Sequence, residues 1–177
     1  MYIRNGLDLD LWQRNIDSFL KKTVFPVSLM ITYNALSVSS FMGLLEKILE
    51  WRCIYNYRDP NKTQRVKFDI PHLKEPYIFD MLILPKDAYL PYMEKCYDFI
   101  GNNMADNDNR KFSTLEHSKF KRILEYMRTA NHDDDKLSHA RGDFYRWITE
   151  HDRRYGKSFV DTFPDMVDFW DLCGRCD

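Results

Sequence analysis

The residues best suited to hold a ligand gather behind one short apolar segment. From Val27 to Asn34 the chain alternates, with Val27, Leu29, Ile31 and Tyr33 on one face and Ser28, Met30, Thr32 and Asn34 on the other. That is the period of a β-strand. Thr32, Asn34, Ser37, Ser39 and Ser40 lie at its carboxyl end, where parallel α/β sheets and barrels hold their ligands. Thr32 and Asn34 share a face, so both can aim at one ligand. The same residue types also serve as turn and helix-capping groups.

Three other groups invite a chemical reading. His132-Asp133, His139 and His151-Asp152 are residue types that ligate divalent metals, as in a His/Asp phosphohydrolase. Their spacing is unspecific, and Asp133 to Asp135 fall where negative charge suits a helix N-terminus. Cys173-Gly-Arg-Cys176 is a CxxC at the tail, half of what a zinc or iron–sulfur site needs, with no second pair to complete it. Two free thiols on a frayed end is the simpler expectation, with Cys53 and Cys96 packing inside helices. Arg58, Arg65 and Lys67 beside Tyr55 and Tyr57 form a modest basic group, expected on the surface.

Composition narrows the class. The chain has 177 residues, 44% apolar and 30% charged, with 26 Lys plus Arg against 27 Asp plus Glu and a formal charge of -1. A nucleic-acid interface draws on a cationic excess, and none exists here, so no nucleic-acid partner is expected. No stretch approaches the roughly 20 apolar residues that span a bilayer, so no membrane partner is expected either. MYIRNGLDLD lacks an apolar signal core. The expectation is a cytoplasmic protein with reduced thiols.

The elements that must position these groups follow from periodicity and caps. Asp8 to Lys22 reads as a helix with Trp12, Ile16, Phe19 and Leu20 on one face. After the Val27–Asn34 strand, Ser39 or Ser40 opens a helix to about Tyr57. Arg65 to Asp69 is a short strand and Tyr77 to Leu84 a strong one, ended by Pro85. Helices follow over about Lys86–Ile100, from Ser113 with a Ser113/Glu116 capping box, over about Asp135–Arg154 ending at Gly156, and from Thr162 ahead of Pro164. The alternating front half predicts an α/β fold with βα units and a parallel sheet, and the back half a helical extension.

Several stretches together resemble a known family: YIRNG at Tyr2–Gly6, WQRNIDSF at Trp12–Phe19, SLMITYNALSV at Ser28–Val38, FDIPHLKEP at Phe68–Pro76, LILPK at Leu82–Lys86 and HDRRYGKSFVDTFPDMVDFWDLC at His151–Cys173. They resemble the C-terminal half of twitch-domain radical S-adenosylmethionine proteins of tailed phages and marine metagenomes, over nearly the whole chain. The resemblance implies a fragment of a partial (β/α)6 barrel over 1–104 and a helical C-terminal extension over 105–177. YIRNG would follow the fourth strand, SLMITYN would be the fifth strand and IFDMLILP the sixth. In such proteins a CxxxCxxC loop binds a 4Fe–4S cluster, which reductively cleaves S-adenosylmethionine to a radical that abstracts a substrate hydrogen.

This sequence has no CxxxCxxC and no GGEP-like tract. The resemblance therefore implies a truncated or split piece, not catalytic alone, with S-adenosylmethionine and the 4Fe–4S cluster belonging to the complete protein. Neither cofactor is expected bound to this chain by itself. The expected partners are the missing N-terminal half of the barrel and an unidentified substrate. Barrel placement puts Thr32 and Asn34 against the cofactor, and the backbone near Leu84 and Pro85 beside its adenine. A different class of function also fits the residues, an interaction module docking through the aromatic helical stretch Phe159–Trp170.

Overall fold

The computed structural model describes residues 2–3, 6–57 and 63–176. Helix α1 (Leu9–Lys22) opens on Asp8, whose carboxylate accepts the Leu11 N–H at 2.9 Å, and closes with Lys21 and Lys22 in its last turn. Both charges complement the helix dipole. Strand β1 (Val27–Met30) leads through a 3-10 turn at Ala35–Ser37 into α2 (Phe41–Tyr55), and the chain returns as β2 (Val66–Asp69). The two strands are parallel, with Val27 opposite Val66 and Met30 opposite Asp69. A helix between two parallel strands is the βαβ unit expected of an α/β fold. The ladder runs on past β1: Ile31 N–H donates to the Asp69 carbonyl and Tyr33 N–H to the Pro71 carbonyl, each at 2.8 Å.

One face of this pair is core. Leu29, Tyr33, Val66, Phe68 and Ile70 are buried together with Phe41, Leu45, Ile48 and Trp51 of α2. The other face carries Ser28, Met30 and Thr32, all exposed. Helix α1 joins the core side, where Trp51 Nε1 donates to Asp17 at 2.9 Å and the Trp12 and Trp51 rings meet edge to face.

The segment Tyr77–Leu84, expected as a strand and overlapping the tract IFDMLILP (Ile78–Pro85) expected as the sixth barrel strand, is instead two 3-10 turns, Tyr77–Phe79 and Met81–Ile83. Asp80 decides this. Its carboxylate accepts the Leu82 N–H at 3.0 Å, which starts the second turn, and the Tyr126 hydroxyl at 2.7 Å. Phe79 through Leu84 are buried without alternation, so no open face marks a sheet surface. The helix α5 side chain Arg141 takes the Ile83 carbonyl at 2.8 Å.

The remaining elements are α3 (Lys86–Asn102), α4 (Thr114–Thr129), α5 (Asp134–Tyr155), α6 (Phe159–Thr162) and α7 (Val167–Gly174). The Ser113/Glu116 capping box opens α4 as expected. Asp133 caps α5, and Gly156 closes it at a positive φ of 59°, a conformation that favours glycine. Thr162 does not begin a helix: Ser158 caps α6 and Thr162 ends it, and α7 follows a 3-10 turn at Pro164–Met166. Phe120, Phe144 and Phe169 share one buried cluster with the front half, so helices α4, α5 and α7 pack on the same core as the strands.

A buried ion pair fastens this join. Arg52 is fully buried, and its Nη2 meets Glu116 Oε1 at 2.6 Å. The same guanidinium donates to the carbonyls of Val66 (2.7 Å) and Lys111 (2.9 Å). The chain is therefore an α/β protein dominated by helices, with one small parallel sheet.

Candidate functional site

The carboxyl end of β1 is built largely by Asn34. Its Oδ1 accepts the Leu36 N–H at 2.9 Å and its Nδ2 donates to the Thr32 carbonyl at 2.9 Å. With Ser37 it forms a capping box around the 3-10 turn, so both polar ends of a residue that is 8% exposed are committed to the backbone. Thr32 is exposed beside it. Leu84 is buried, and its N–H donates to the Met81 carbonyl at 3.1 Å just ahead of Pro85 and α3. Ser40 precedes α2 without a side-chain capping bond.

The longitudinal edge of β1 is the larger feature. The ladder uses the N–H and C=O groups of Val27, Leu29, Ile31 and Tyr33. In a parallel strand the intervening residues turn theirs the other way. Among the described residues no backbone hydrogen bond crosses the outer side of Ser28 or Met30. The far edge, on β2, is occupied instead: Arg52 takes the Val66 carbonyl, and α4 flanks it with Lys119 Nζ 2.8 Å from Asp69. Between the exposed sheet face and the start of α4 runs a groove of about 280 Å³, lined by Ser28, Met30, Lys67, Asp69, Leu115 and Lys119 among others.

A second cleft, about 600 Å³, lies along α5 and is lined by Trp147, Glu150, His151, Arg154 and Tyr155 together with Ile78 and two further charged residues. His151 is 6% exposed. Its ring lies 5.2 Å from Trp147, 5.0 Å from Tyr155 and 4.8 Å from Tyr2. Asp152 accepts the Tyr2 hydroxyl and the Phe159 N–H, the latter at 2.7 Å. Burial first, then the bond to Asp152, raises the Tyr2 pKa, so Tyr2 stays a donor. This network anchors the start of the chain to the α5–α6 corner. The i, i+4, i+8 spacing of Trp147, His151 and Tyr155 was the one sequence signal for it. Nothing local announces the Tyr2 contact.

The histidine–aspartate groups do not converge on a metal. Among the described residues no three His, Cys, Asp or Glu side chains are grouped to hold an ion. Asp133 accepts the Lys136 N–H at 2.8 Å as a helix cap, and His139 Nδ1 lies 2.7 Å from the Asp135 carbonyl. Arg65, expected on the surface, is 6% exposed, and its Nη2 binds the Leu20 and Thr23 carbonyls at the end of α1. Arg58 lies outside the described residues, as do Arg4 and Asn5 of the YIRNG tract. Within the stretch Phe159–Trp170, expected to offer a docking surface, Phe159 and Phe169 are each 1% exposed and hold α6 and α7 to the core, while Val160 and Val167 are exposed. No helix among the described residues is long and apolar enough to cross a membrane.

The cysteines are distributed otherwise than expected. Cys96 is buried as anticipated, but Cys53 is exposed on α2, and Cys173 is fully buried in α7 rather than on a frayed end. Burial pushes the Cys96 and Cys173 thiols up to about 12. The thiolate is the reactive form, so raised pKa and burial act together. Titration of the native chain with a chromogenic disulfide near neutral pH is expected to label exposed Cys53 and part-exposed Cys176, with Cys96 and Cys173 labelled only after unfolding. Fast native labelling of Cys173 would place the α7 packing in error.

No family model, curated protein or solved structure matches this chain.

Proposed function

We propose that the chain forms the last two strands of a radical S-adenosylmethionine barrel and works joined to an N-terminal half that carries the cluster. The observation behind this reading is the edge of β1, buried on one face, exposed on the other and, among the described residues, without a backbone hydrogen bond along its outer margin. A barrel wall has such a form when its neighbouring strand is supplied from elsewhere. Helix α1 supports the same reading. It packs beside α2 on the core side and leads into β1, as a crossover helix does after a preceding parallel strand. In this arrangement β1 is the fifth strand and β2 the sixth, which moves the sixth from IFDMLILP (Ile78–Pro85) to Val66–Asp69.

The residues present do not fit the cluster. Three thiolates must converge on it, whereas Cys96 and Cys173 are buried thiols, Cys53 is exposed on α2 and Cys176 is part-exposed after α7, and among the described residues no three are grouped. Cluster ligation therefore falls to the other half, and no chemical step is assigned to this chain. Its own contribution is positional: Thr32 offers an exposed group at the carboxyl end of β1, Asn34 holds the turn behind it, and Leu84 packs behind the start of α3.

The test is co-production with an upstream segment containing CxxxCxxC, followed by anaerobic addition of iron and sulfide. Co-purification and an iron–sulfur chromophore are expected from the pair, and neither from this chain alone. Absence of both in the pair overturns the reading.

A further inference from the structure

We propose that, when no upstream strand covers it, the open edge of β1 pairs antiparallel with the same edge of a second copy across a two-fold axis. This goes beyond the barrel reading and shares with it only the bare edge. Natural proteins blunt exposed edges with charges, proline or bulges. Here Pro26 stands just before the strand, and no Asp, Glu, Lys, Arg or His occurs between Lys22 and Glu46. The edge is also not shielded by bulk: Met30 is 68% exposed, and Val24 and Phe25 at the strand's entry are 70% and 66% exposed.

The register is self-complementary. Pairing centred on Met30 sets Ser28 opposite Thr32 of the second copy and Met30 opposite its own counterpart. All three residues turn their backbone groups outward, so each facing pair is of the type that exchanges both N–H···O bonds. The Thr32 carbonyl already accepts from Asn34, and its second lone pair remains for the new bond. Small polar side chains face each other, methionine faces methionine, and no like charges meet. Such a contact uses the same patch on both copies and closes on itself, giving a dimer rather than a filament. The joined sheet runs β2, β1, then β1 and β2 of the second copy. The patch is short, so the association is concentration-dependent rather than permanent.

Sedimentation of the whole chain over a wide concentration range tests this, beside Met30→Pro and Met30→Lys. The first removes the central outward N–H. The second leaves the backbone intact and sets two ammonium groups against each other. The parent mass is expected to climb from monomer toward dimer, Met30→Pro to remain monomeric throughout, and Met30→Lys to associate several-fold more weakly, with partial recovery in high salt as the charges are screened. Far-ultraviolet circular dichroism establishes that the variants are folded. A parent that stays monomeric, folded variants that both dimerise like the parent, or growth past the dimer each overturn the proposal. The barrel reading is judged separately, by the iron–sulfur chromophore of the co-produced pair.

Discussion

Glu116→Ala is expected to destabilise the chain by about 3–5 kcal/mol, the usual cost of stranding one member of a buried ion pair. The Arg52 guanidinium is wholly enclosed, with the Phe68 and Phe112 rings 5.9 and 5.3 Å from its carbon. Glu116 supplies two of its contacts, at 2.6 and 3.3 Å, and also accepts the Ser113 N–H at 2.9 Å. Alanine removes all of these and leaves a buried cation without a counter-charge. At roughly 2–4 °C per kcal/mol for a chain of this size, the melting temperature should fall by about 6–20 °C. The paired change Arg52→Met with Glu116→Leu should recover much of the loss, because it removes both charges together. Thermal melts of the parent, single and double variants check this. A single variant melting within about 1 kcal/mol of the parent would show that the pair is not desolvated as described.

Proline placed along β1 should act with the period of the strand. Leu29 lies between Val27, whose N–H binds the Arg65 carbonyl at 2.8 Å, and Ile31, whose N–H binds that of Asp69. The register sets its own N–H toward β2 in the same way. Leu29→Pro loses that bond, leaves a carbonyl of β2 unpaired and removes a buried leucine side chain. Together these are worth about 3–5 kcal/mol. Met30 has its N–H on the open side and its side chain in solvent, and edge positions of that kind tolerate proline. Met30→Pro should therefore cost about 1 kcal/mol or less. Urea titrations of the two variants give the contrast directly. Equal losses would mean that the Met30 edge is covered.

Which parts of this were legible in the sequence follows from how far each determinant reaches along the chain. The Asp8 cap of α1, the Ser113/Glu116 box of α4, the Gly156 end of α5 and the alternation of β1 are set by residues within a few positions of each other. Their spacing alone announces them. Asn34 was singled out as a ligand candidate or a capping residue, and the structure gives its side chain to the cap, which is equally local. The α/β alternation of the front half likewise foretold a parallel pair.

The features that sequence spacing left open depend on which surfaces meet. Tyr77–Leu84 has the composition of a strand, but a strand needs a neighbour for its backbone. Asp80, held by Tyr126 from α4, turns that backbone onto itself instead. Arg65 reads as a surface charge until packing closes over it and the Leu20 and Thr23 carbonyls take up its donors, and the partners of buried Arg52 come from Val66 and Glu116, well removed along the chain. Cys53 and Cys173 exchange their expected environments because burial is decided by the neighbouring helix, not by the residue type. Tyr2 meets Asp152 across 150 positions of sequence. Local hydrogen bonds and periodicity chose most elements of this protein, Tyr77–Leu84 being the exception. Tertiary packing chose which polar groups are enclosed and left one edge of β1 unpaired among the described residues, because only the assembled fold determines where water and other chains can reach.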